Sequence, residues 1–259
     1  MDSATAARLD AINREFYDRV GPEFSASRGR LNPGILEAFR DRKGIRSVLD
    51  VGCGDGRVGL AWAADELPIA WEARSRYVGL ERSGSLLAAR SPWPEGLTPV
   101  RIDLLRDGWP EGPFDFTCCF AVLHHVPDRA VRVSILRRIA RSVAPSGLWA
   151  VSVWQFLHLE RFRHRIVDWA EVGVDPDGLE PGDLLLDWRR GPRALRYVHH
   201  YDPGELAEDC ASAGLSVSRM WSSVGQGQKG PGVIEERPHP RIPAQTLFQP
   251  SESSPSAVA

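Results

Sequence analysis

Residues 48–59, VLDVGCGDGRVG, constrain this chain more than any other stretch of its 259 residues. The apolar run Val48, Leu49 and Val51 predicts a strand covered on both faces, as strands of a parallel sheet are. The glycines after it predict a tight turn, and residues 57–64 predict the helix that leaves the turn. Glycine lets the backbone approach a ligand closely, and a helix start points free N–H groups at the same place. Such a strand–turn–helix unit belongs to a doubly wound sheet, where ligands bind beyond the carboxyl ends of the strands.

Later segments repeat the pattern. Residues 77–81 (YVGLE) close on Glu81, a carboxylate suited to a ribose diol, and residues 100–103 close on Asp103, able to accept from an adenine amino group. Residues 114–122 (FDFTCCFAV) and 148–154 (LWAVSVW) are nearly uninterrupted apolar runs. A lone acid after a strand is an ordinary turn or cap residue. Asp50, Glu81 and Asp103 in succession after a glycine turn point instead to a site. The predicted fold is α/β, a Rossmann-like, doubly wound, mostly parallel sheet.

Two cofactor classes use such a turn. Gly54, Gly56 and Gly59 fit the dinucleotide fingerprint, a spacing that is weak evidence alone. Asp50 separates the classes by charge. A pyrophosphate beside it would meet repulsion, whereas S-adenosylmethionine (SAM) brings an ammonium and a sulfonium that it attracts. The bland alternative is a βα turn without a ligand, and the downstream acids weigh against it. The SAM site is expected to comprise Asp50, Gly52, Cys53, Gly54, Gly56, Glu81, Arg82, Asp103, Leu104 and Ala121, with no metal.

On these motifs the chain resembles the class I SAM-dependent methyltransferases over residues 11–224. Residues 50–56 (DVGCGDG) match the family's first motif, Glu81 its ribose acid and Asp103-Leu104 its adenine-side pair. Within that superfamily it is most similar to the tRNA wobble-uridine carboxymethyl methyltransferases. The similarity rests on Phe16-Tyr17 through Phe24-Ser25 with Ser27-Arg28, on residues 121–125 (AVLHH), and on residues 196–201 (RYVHHY) followed by Gly204-Glu205-Leu206. Glu81 stands where that subfamily tends to have Asp. The resemblance implies O-methylation of a carboxymethyl group on a nucleobase, and tRNA as a partner. The related eukaryotic enzymes also work with a small zinc-binding activator protein.

The chemistry agrees with that implication. A sulfonium methyl is already activated, so the protein mainly aligns the nucleophile and excludes water. An exocyclic-amine methyltransferase typically presents an Asn/Asp-Pro-Pro-aromatic run after the fourth strand, where this chain has AVLHH. An RNA C5-methyltransferase needs a nucleophilic cysteine in a polar site, and Cys118 and Cys119 lie inside an apolar strand. A carboxylate is ionised at neutral pH and needs only cationic or hydrogen-bonding positioners. Arg28, His124 and Arg196 are the expected positioners. Each has an ordinary reading too: Arg28 as a loop arginine, His124 as a bonded core histidine, Arg196 as a solvated surface arginine. Which of His124 and His125 faces the cofactor is open, and Tyr17 and Phe24 are expected to pack unless a lid uses them. A metabolite methyltransferase acting on a small carboxylate-bearing acceptor is the alternative. A non-catalytic methyltransferase-fold partner subunit is a third reading, opposed by the intact motif residues.

Bulk composition neither demands nor excludes RNA. The net charge is −2 and arginine outnumbers lysine 30 to 2, a bias fitting a GC-rich genome as well as phosphate contacts. The arginine clusters at 137–141, 161–165 and 189–196 read first as solvated faces. With 42% hydrophobic residues the chain can bury a substantial core. The four cysteines show no metal spacing, no 18-residue apolar run exists, and the N-terminus lacks a signal-peptide core, so a cytoplasmic protein without a membrane span is expected.

The expected layout is a helical lid over 1–44, a methyltransferase domain over 45–225 with an insertion at about 155–200, and a disordered tail over 226–259. Apolar spacing predicts helices at 4–19, 32–44, 83–90, 128–143 and 202–213. Pro145-Ser146-Gly147 is expected as the turn into the fifth strand, the insertion as a helical piece followed by a Gly/Pro-rich loop, and 215–221 as the sixth strand. A seventh strand is not legible: Val233-Ile234 is the only candidate stub in a stretch with six prolines after Gly230.

Overall fold

The computed structural model describes residues 1–110, 112–223 and the backbone of 245–248. Helix α1 (Ser3–Ala26) starts at Asp2, whose side chain accepts from the N–H groups of Ala4 and Thr5, and buries Leu9, Ile12, Phe16 and Val20. It outruns its predicted end at Arg19 and continues past Pro22. Packing explains the extension. A Cβ at Gly21 would lie 2.3 Å from Ser85 Oγ, and Ser25 Oγ donates to Asp55 at 2.6 Å, so the last turns are held by the core. Helix α2 (Pro33–Phe39) is shorter than predicted and is capped by Asn32, which accepts from Gly34 N at 2.7 Å.

The chain then alternates β1 (Ser47–Val51), α3 (Arg57–Ala63), β2 (Arg76–Glu81), α4 (Gly84–Ala88), β3 (Leu97–Arg101), β4 (Phe114–Phe120), α5 (Arg129–Ser142) and β5 (Val143–Trp154). These five strands pair in parallel. β3 begins before its predicted start and ends at Arg101, which leaves Asp103 in the following loop. Pro145-Ser146-Gly147 falls inside β5 and is not a turn before it. The ladder slips there, with Phe114 opposite Val143 and Phe116 opposite Leu148, so the extra residues form a bulge.

The insertion departs most from expectation. It holds one short helix, α6 (Glu160–Arg163), and a three-stranded antiparallel sheet of β6 (Ile166–Val167), β7 (Asp183–Trp188) and β8 (Ala194–His199). β7 and β8 are short apolar runs joined across Gly191-Pro192, and the loop before β7 masks their periodicity. Against them packs α1: Leu9 and Ile12 meet Leu185 and Tyr197, and Phe16 and Val20 meet Trp188 and Ala194.

Helix α7 (Pro203–Ser212) follows, and β9 (Met220–Ser223) and β10 (Gln245–Phe248) complete the main sheet in the order β3-β2-β1-β4-β5-β10-β9. β9 is shorter and later than the predicted sixth strand. β10 is the seventh strand the sequence did not reveal, antiparallel to both β5 and β9. Val233-Ile234 lies outside the described residues, with the rest of 224–244 and 249–259. Alternate residues of each strand feed two cores. Val51, Cys119 and Val151 join Ile135 and Ile139 of α5, while Val48, Cys118 and Ala150 join Trp62 of α3 and Phe39 of α2.

Candidate active site

A cavity of about 330 Å³ lies at the carboxyl ends of β1, β2 and β4, bounded on its other side by α1 and the small sheet. Its floor is the glycine turn. The N–H groups of Gly52 and Cys53 both donate to the Leu80 carbonyl, at 2.8 and 2.9 Å. Gly52 has φ +73°, and a Cβ there would sit 2.4 Å from Val122, so side chains are excluded by both backbone and space.

Asp50, 2% exposed, accepts from the Tyr77 hydroxyl at 2.7 Å and the Cys118 thiol at 3.5 Å. Burial pushes its carboxyl up to about 6. Glu81 accepts from Gly54 N at 3.1 Å and Ser83 N at 2.8 Å, and burial raises its pKa too. Asp103 accepts from Leu105 N at 2.9 Å. Arg82 is paired with Asp10 of α1. Asp50, Gly52, Cys53, Gly54, Glu81, Arg82, Asp103, Leu104 and Ala121 all line this one cavity. Gly56 does not. It has φ +72° and would place a Cβ 2.1 Å from the Trp93 ring, so it shapes the turn from behind. These residues fit SAM: acids line up along the strand ends, and an added Cβ at Gly54 meets no atom within 4 Å.

The opposite wall is cationic and aromatic. Arg196, 4% exposed, lies over Trp154 at 4.7 Å, Phe16 at 5.4 Å and Trp188 at 6.0 Å. Burial pushes its pKa down to about 10, which leaves it charged at neutral pH. Its Nη1 is buried without a hydrogen-bond partner among the described residues. Arg28 lies over the Phe24 ring at 4.8 Å and has no ion-pair partner among the described residues. Tyr17 and Phe24 line the cavity as well, so α1 contributes to the site as well as to packing.

Of the two histidines, His125 reaches the cavity and His124 does not. Residues Leu123–His125 form a single 3₁₀ turn, which sends the neighbouring rings in different directions. His124 is fully buried, stacked on Trp154 at 4.7 Å, with both ring nitrogens unbonded among the described residues. His124 is therefore a wall behind Trp154, and the expectation that it touches the acceptor is corrected. His125 donates from Nδ1 to the Tyr197 carbonyl at 3.2 Å. Burial, reinforced by Arg196, pushes its pKa down to about 3, so it is a neutral imidazole.

At the exit of β4, Ala121 has φ 60°, a conformation costing about 1–3 kcal/mol outside glycine. Its N–H donates to the Ser152 carbonyl at 2.9 Å and to Ser152 Oγ at 3.0 Å, which holds it there. Asp10, Asp55, Trp154, Trp188, Arg165 and Arg190 also line the cavity and are not among the expected site residues; Asp55 lies within the glycine motif and the two arginines within the clusters read as solvated faces. Asp55 is 4% exposed and anchors α1 through Ser25. Further ties run from Asn13 Nδ2 to the His125 carbonyl at 2.8 Å and from Ser85 Oγ to the Tyr17 carbonyl at 2.8 Å.

A buried network ties the insertion to the core. His199 bonds Asp183 through Nδ1 at 2.8 Å and Glu205 through Nε2 at 2.8 Å. Arg132 bonds Glu180 at 2.8 Å and Glu205 at 3.1 Å. Glu180, Asp183 and His199 approach metal-ligand spacing, but both His199 nitrogens and Glu180 are already engaged. The cluster is a clasp between β7–β8, α5 and α7.

The family model described as a methyltransferase domain matches residues 12–219. A protein of Encephalitozoon cuniculi named as a methyltransferase is 31% identical over 220 residues, covering 84% of this chain and 92% of its own. The tRNA (carboxymethyluridine(34)-5-O)-methyltransferase of Saccharomyces cerevisiae is 23% identical, covering 78% and 88%. The ubiquinone biosynthesis O-methyltransferase of Bordetella avium is 29% identical, covering 85% and 83%. In solved structures, a SAM-dependent methyltransferase from Methanosarcina mazei superposes with a TM-score of 0.60 at 17% identity, covering 85% of this chain and 97% of that one. A chain of a Haloferax volcanii complex between a methyltransferase activator and a methyltransferase superposes at 0.55 with 15% identity, covering 98% and 99%.

Proposed function

Since this chain belongs to the methyltransferase family and is a SAM-dependent enzyme, we propose that it O-methylates a carboxylate held between Arg28 and Arg196. SAM supplies an activated methyl group when bound, and the residues that would hold it are Asp50, Glu81 and Asp103. The observation that carries the reading is the pair of arginines at the acceptor wall, desolvated and, among the described residues, without an ion-pair partner. A guanidinium grips a carboxylate through two parallel hydrogen bonds, which fixes one oxygen of the nucleophile. Trp154 and Trp188 cover Arg196 and Phe24 covers Arg28, and shielding from water strengthens that electrostatic grip. His125, neutral and hydrogen-bonded through Nδ1, can accept a hydrogen bond at Nε2; a carboxylate needs no base, so its role is orientation.

The acceptor favoured by this wall is carboxymethyl-uridine in tRNA, supported by the similarity to the yeast enzyme and by aromatic rings that suit a nucleobase. A metabolite acceptor is the second reading, supported by the similarity to the ubiquinone-pathway enzyme and by the depth of the aromatic wall. A solved relative paired with an activator protein makes a small partner subunit part of the proposal for the tRNA reading. The deciding assay uses purified protein, labelled SAM, and separately an RNA carrying carboxymethyl-uridine and a metabolite extract. Label transferred to the RNA as a base-labile ester supports the first reading. Label appearing only in the extract overturns it.

A further inference from the structure

The cavity's acceptor end carries more positive charge than one carboxylate can neutralise. Beyond Arg28 and Arg196, Arg161, Arg165 and Arg190 line the same cavity, and all three come from the insertion. Two neighbouring arginines of the insertion are paired. Arg189 is bonded to Asp187 at 2.6 Å, and Arg193 bonds Glu171 at 2.6 Å and Asp187 at 3.5 Å. Arg165 and Arg190 have no ion-pair partner among the described residues. Their backbones are fixed: Asp187 N donates to the Arg165 carbonyl at 2.8 Å, and Trp188 Nε1 donates to the Arg190 carbonyl at 3.2 Å. Burial lowers the Arg165 pKa, and the charges of Arg190, Arg161 and Arg189 lower it further. Arg165 also opposes the charge on Arg196. Like charges gathered this closely in a chain of net charge −2 are self-repulsive unless an anion joins them.

We propose that Arg165 and Arg190 form a phosphate-binding subsite at the mouth of the acceptor cavity. It takes a backbone phosphodiester of single-stranded RNA next to the nucleoside being methylated. The inference rests on the carboxylate reading above, because Arg28 and Arg196 are assigned there to the acceptor carboxylate, which leaves Arg165 and Arg190 of the insertion for a second anion. Phosphate contacts position a strand without reading its sequence, and an insertion sheet separate from the SAM-binding strands, with its arginine backbones held in place, suits that task. A phosphorylated metabolite offers the same anion, so the test separates the two sources.

The experiment compares wild-type protein, Arg165→Ala/Arg190→Ala and Arg165→Lys/Arg190→Lys, each saturated with SAM. Binding of a fluorescein-labelled five-nucleotide RNA is followed by anisotropy over a salt series, with uridine 5′-monophosphate as competitor. The expected result is a loss of at least tenfold in RNA affinity for the alanine pair, a shallower dependence of log Kd on log salt by about one to two, and partial rescue by the lysine pair. SAM affinity by calorimetry stays within a few-fold of wild type, which also shows that the variants fold. Unchanged RNA affinity or salt slope, or no RNA binding by wild type, overturns the subsite. Equal binding of uridine 5′-monophosphate and RNA, with equal loss in the variants, overturns the RNA source in favour of a metabolite. Arginine-dependent RNA binding without methylation of carboxymethyl-uridine RNA leaves the subsite standing and removes the carboxylate reading. Equal methylation of the free nucleoside by all three proteins, with no RNA preference, does the reverse.

Discussion

The two ends of the cavity are built in opposite ways. The cofactor end is anionic and comes from strand termini of one sheet: Asp50 after β1's centre, Glu81 at the end of β2, Asp103 just past β3. The acceptor end is cationic and aromatic and is gathered from distant segments, Phe16, Tyr17 and Arg28 from the N-terminal region, Trp154 from β5, Trp188 and Arg196 from the small sheet. The contrast teaches that charge sorts the two substrates. On the carboxylate reading proposed above, a cationic cofactor and an anionic acceptor would each be drawn to one end and repelled from the other, so complementarity would supply orientation before any contact closes. Rigidity is divided in the same way, with parallel strands holding the acids while α1 and the insertion hold the arginines through the clasp around His199.

The strongest way to break this comparison is at the acceptor wall. Arg196→Met keeps volume against the three rings and removes the charge; turnover should fall about a hundredfold, the scale of a lost charged hydrogen bond or more, with SAM affinity within a few-fold. Arg28→Lys should lose much of the turnover because it keeps charge but not the fork, and Arg28→Ala more. Steady-state kinetics beside calorimetry decides the matter, and a collapse of SAM affinity in either variant would move that arginine to the cofactor end.

The matching change at the cofactor end is Asp50→Asn. SAM affinity should drop by about 1–3 kcal/mol, yet the ligand-free protein should melt higher at pH 7.5. The sign follows from burial. The folded carboxyl titrates at about 6 against an ordinary 3.8, so the fold binds the proton more tightly and loses stability as pH rises between those values. Removing the ionised group restores that stability, on the order of 1–3 kcal/mol. In wild type, SAM affinity should fall as pH drops below about 6. A melting temperature lower in Asp50→Asn would show that the carboxylate is not strained.

Deleting residues 239–259 probes the sheet behind both ends. The composition of that stretch predicts no effect, but β10 pairs Gln245, Thr246 and Leu247 with Trp154, Val153 and Ser152 of β5. Loss of that ladder should cost about 2–4 kcal/mol and lower the melting temperature by several degrees, with more harm to acceptor turnover than to SAM binding because Trp154 ends β5. An unchanged melting curve would show that β10 contributes little.

The smallest expected effect sharpens the comparison at the clasp. Burial opposes protonation of His199, but its hydrogen bonds to Asp183 and Glu205 outweigh that and raise its pKa above 6.5. Its stabilisation is therefore complete below pH 6.5 and is lost as pH rises through the higher folded value. His199→Gln should flatten that part of the stability–pH curve, and hydrogen exchange should report the loosening in β7 and β8 before β1 and β2. Uniform loosening of both sheets would remove the distinction between the two halves.

The sequence by itself determined the parallel sheet, the glycine turn and the acids of the cofactor end. It could do so because apolar runs, turn glycines and strand-end carboxylates are set by local backbone rules, and a doubly wound fold places strand ends together whatever the rest of the chain does. Even there the surroundings of Gly56 were not legible, since it packs against Trp93, far along the chain. Tertiary structure decided how the acceptor end is assembled, although Arg28 and Arg196 are already named from the sequence. Only the small sheet's pairing brings Arg165, Arg190 and Arg196 to α1, only the 3₁₀ turn at 123–125 sends His125 and not His124 into the cavity, and only strand pairing makes Gln245–Phe248 the seventh strand. Those outcomes rest on contacts between residues tens to hundreds of positions apart, whose free energy leaves no periodicity to read.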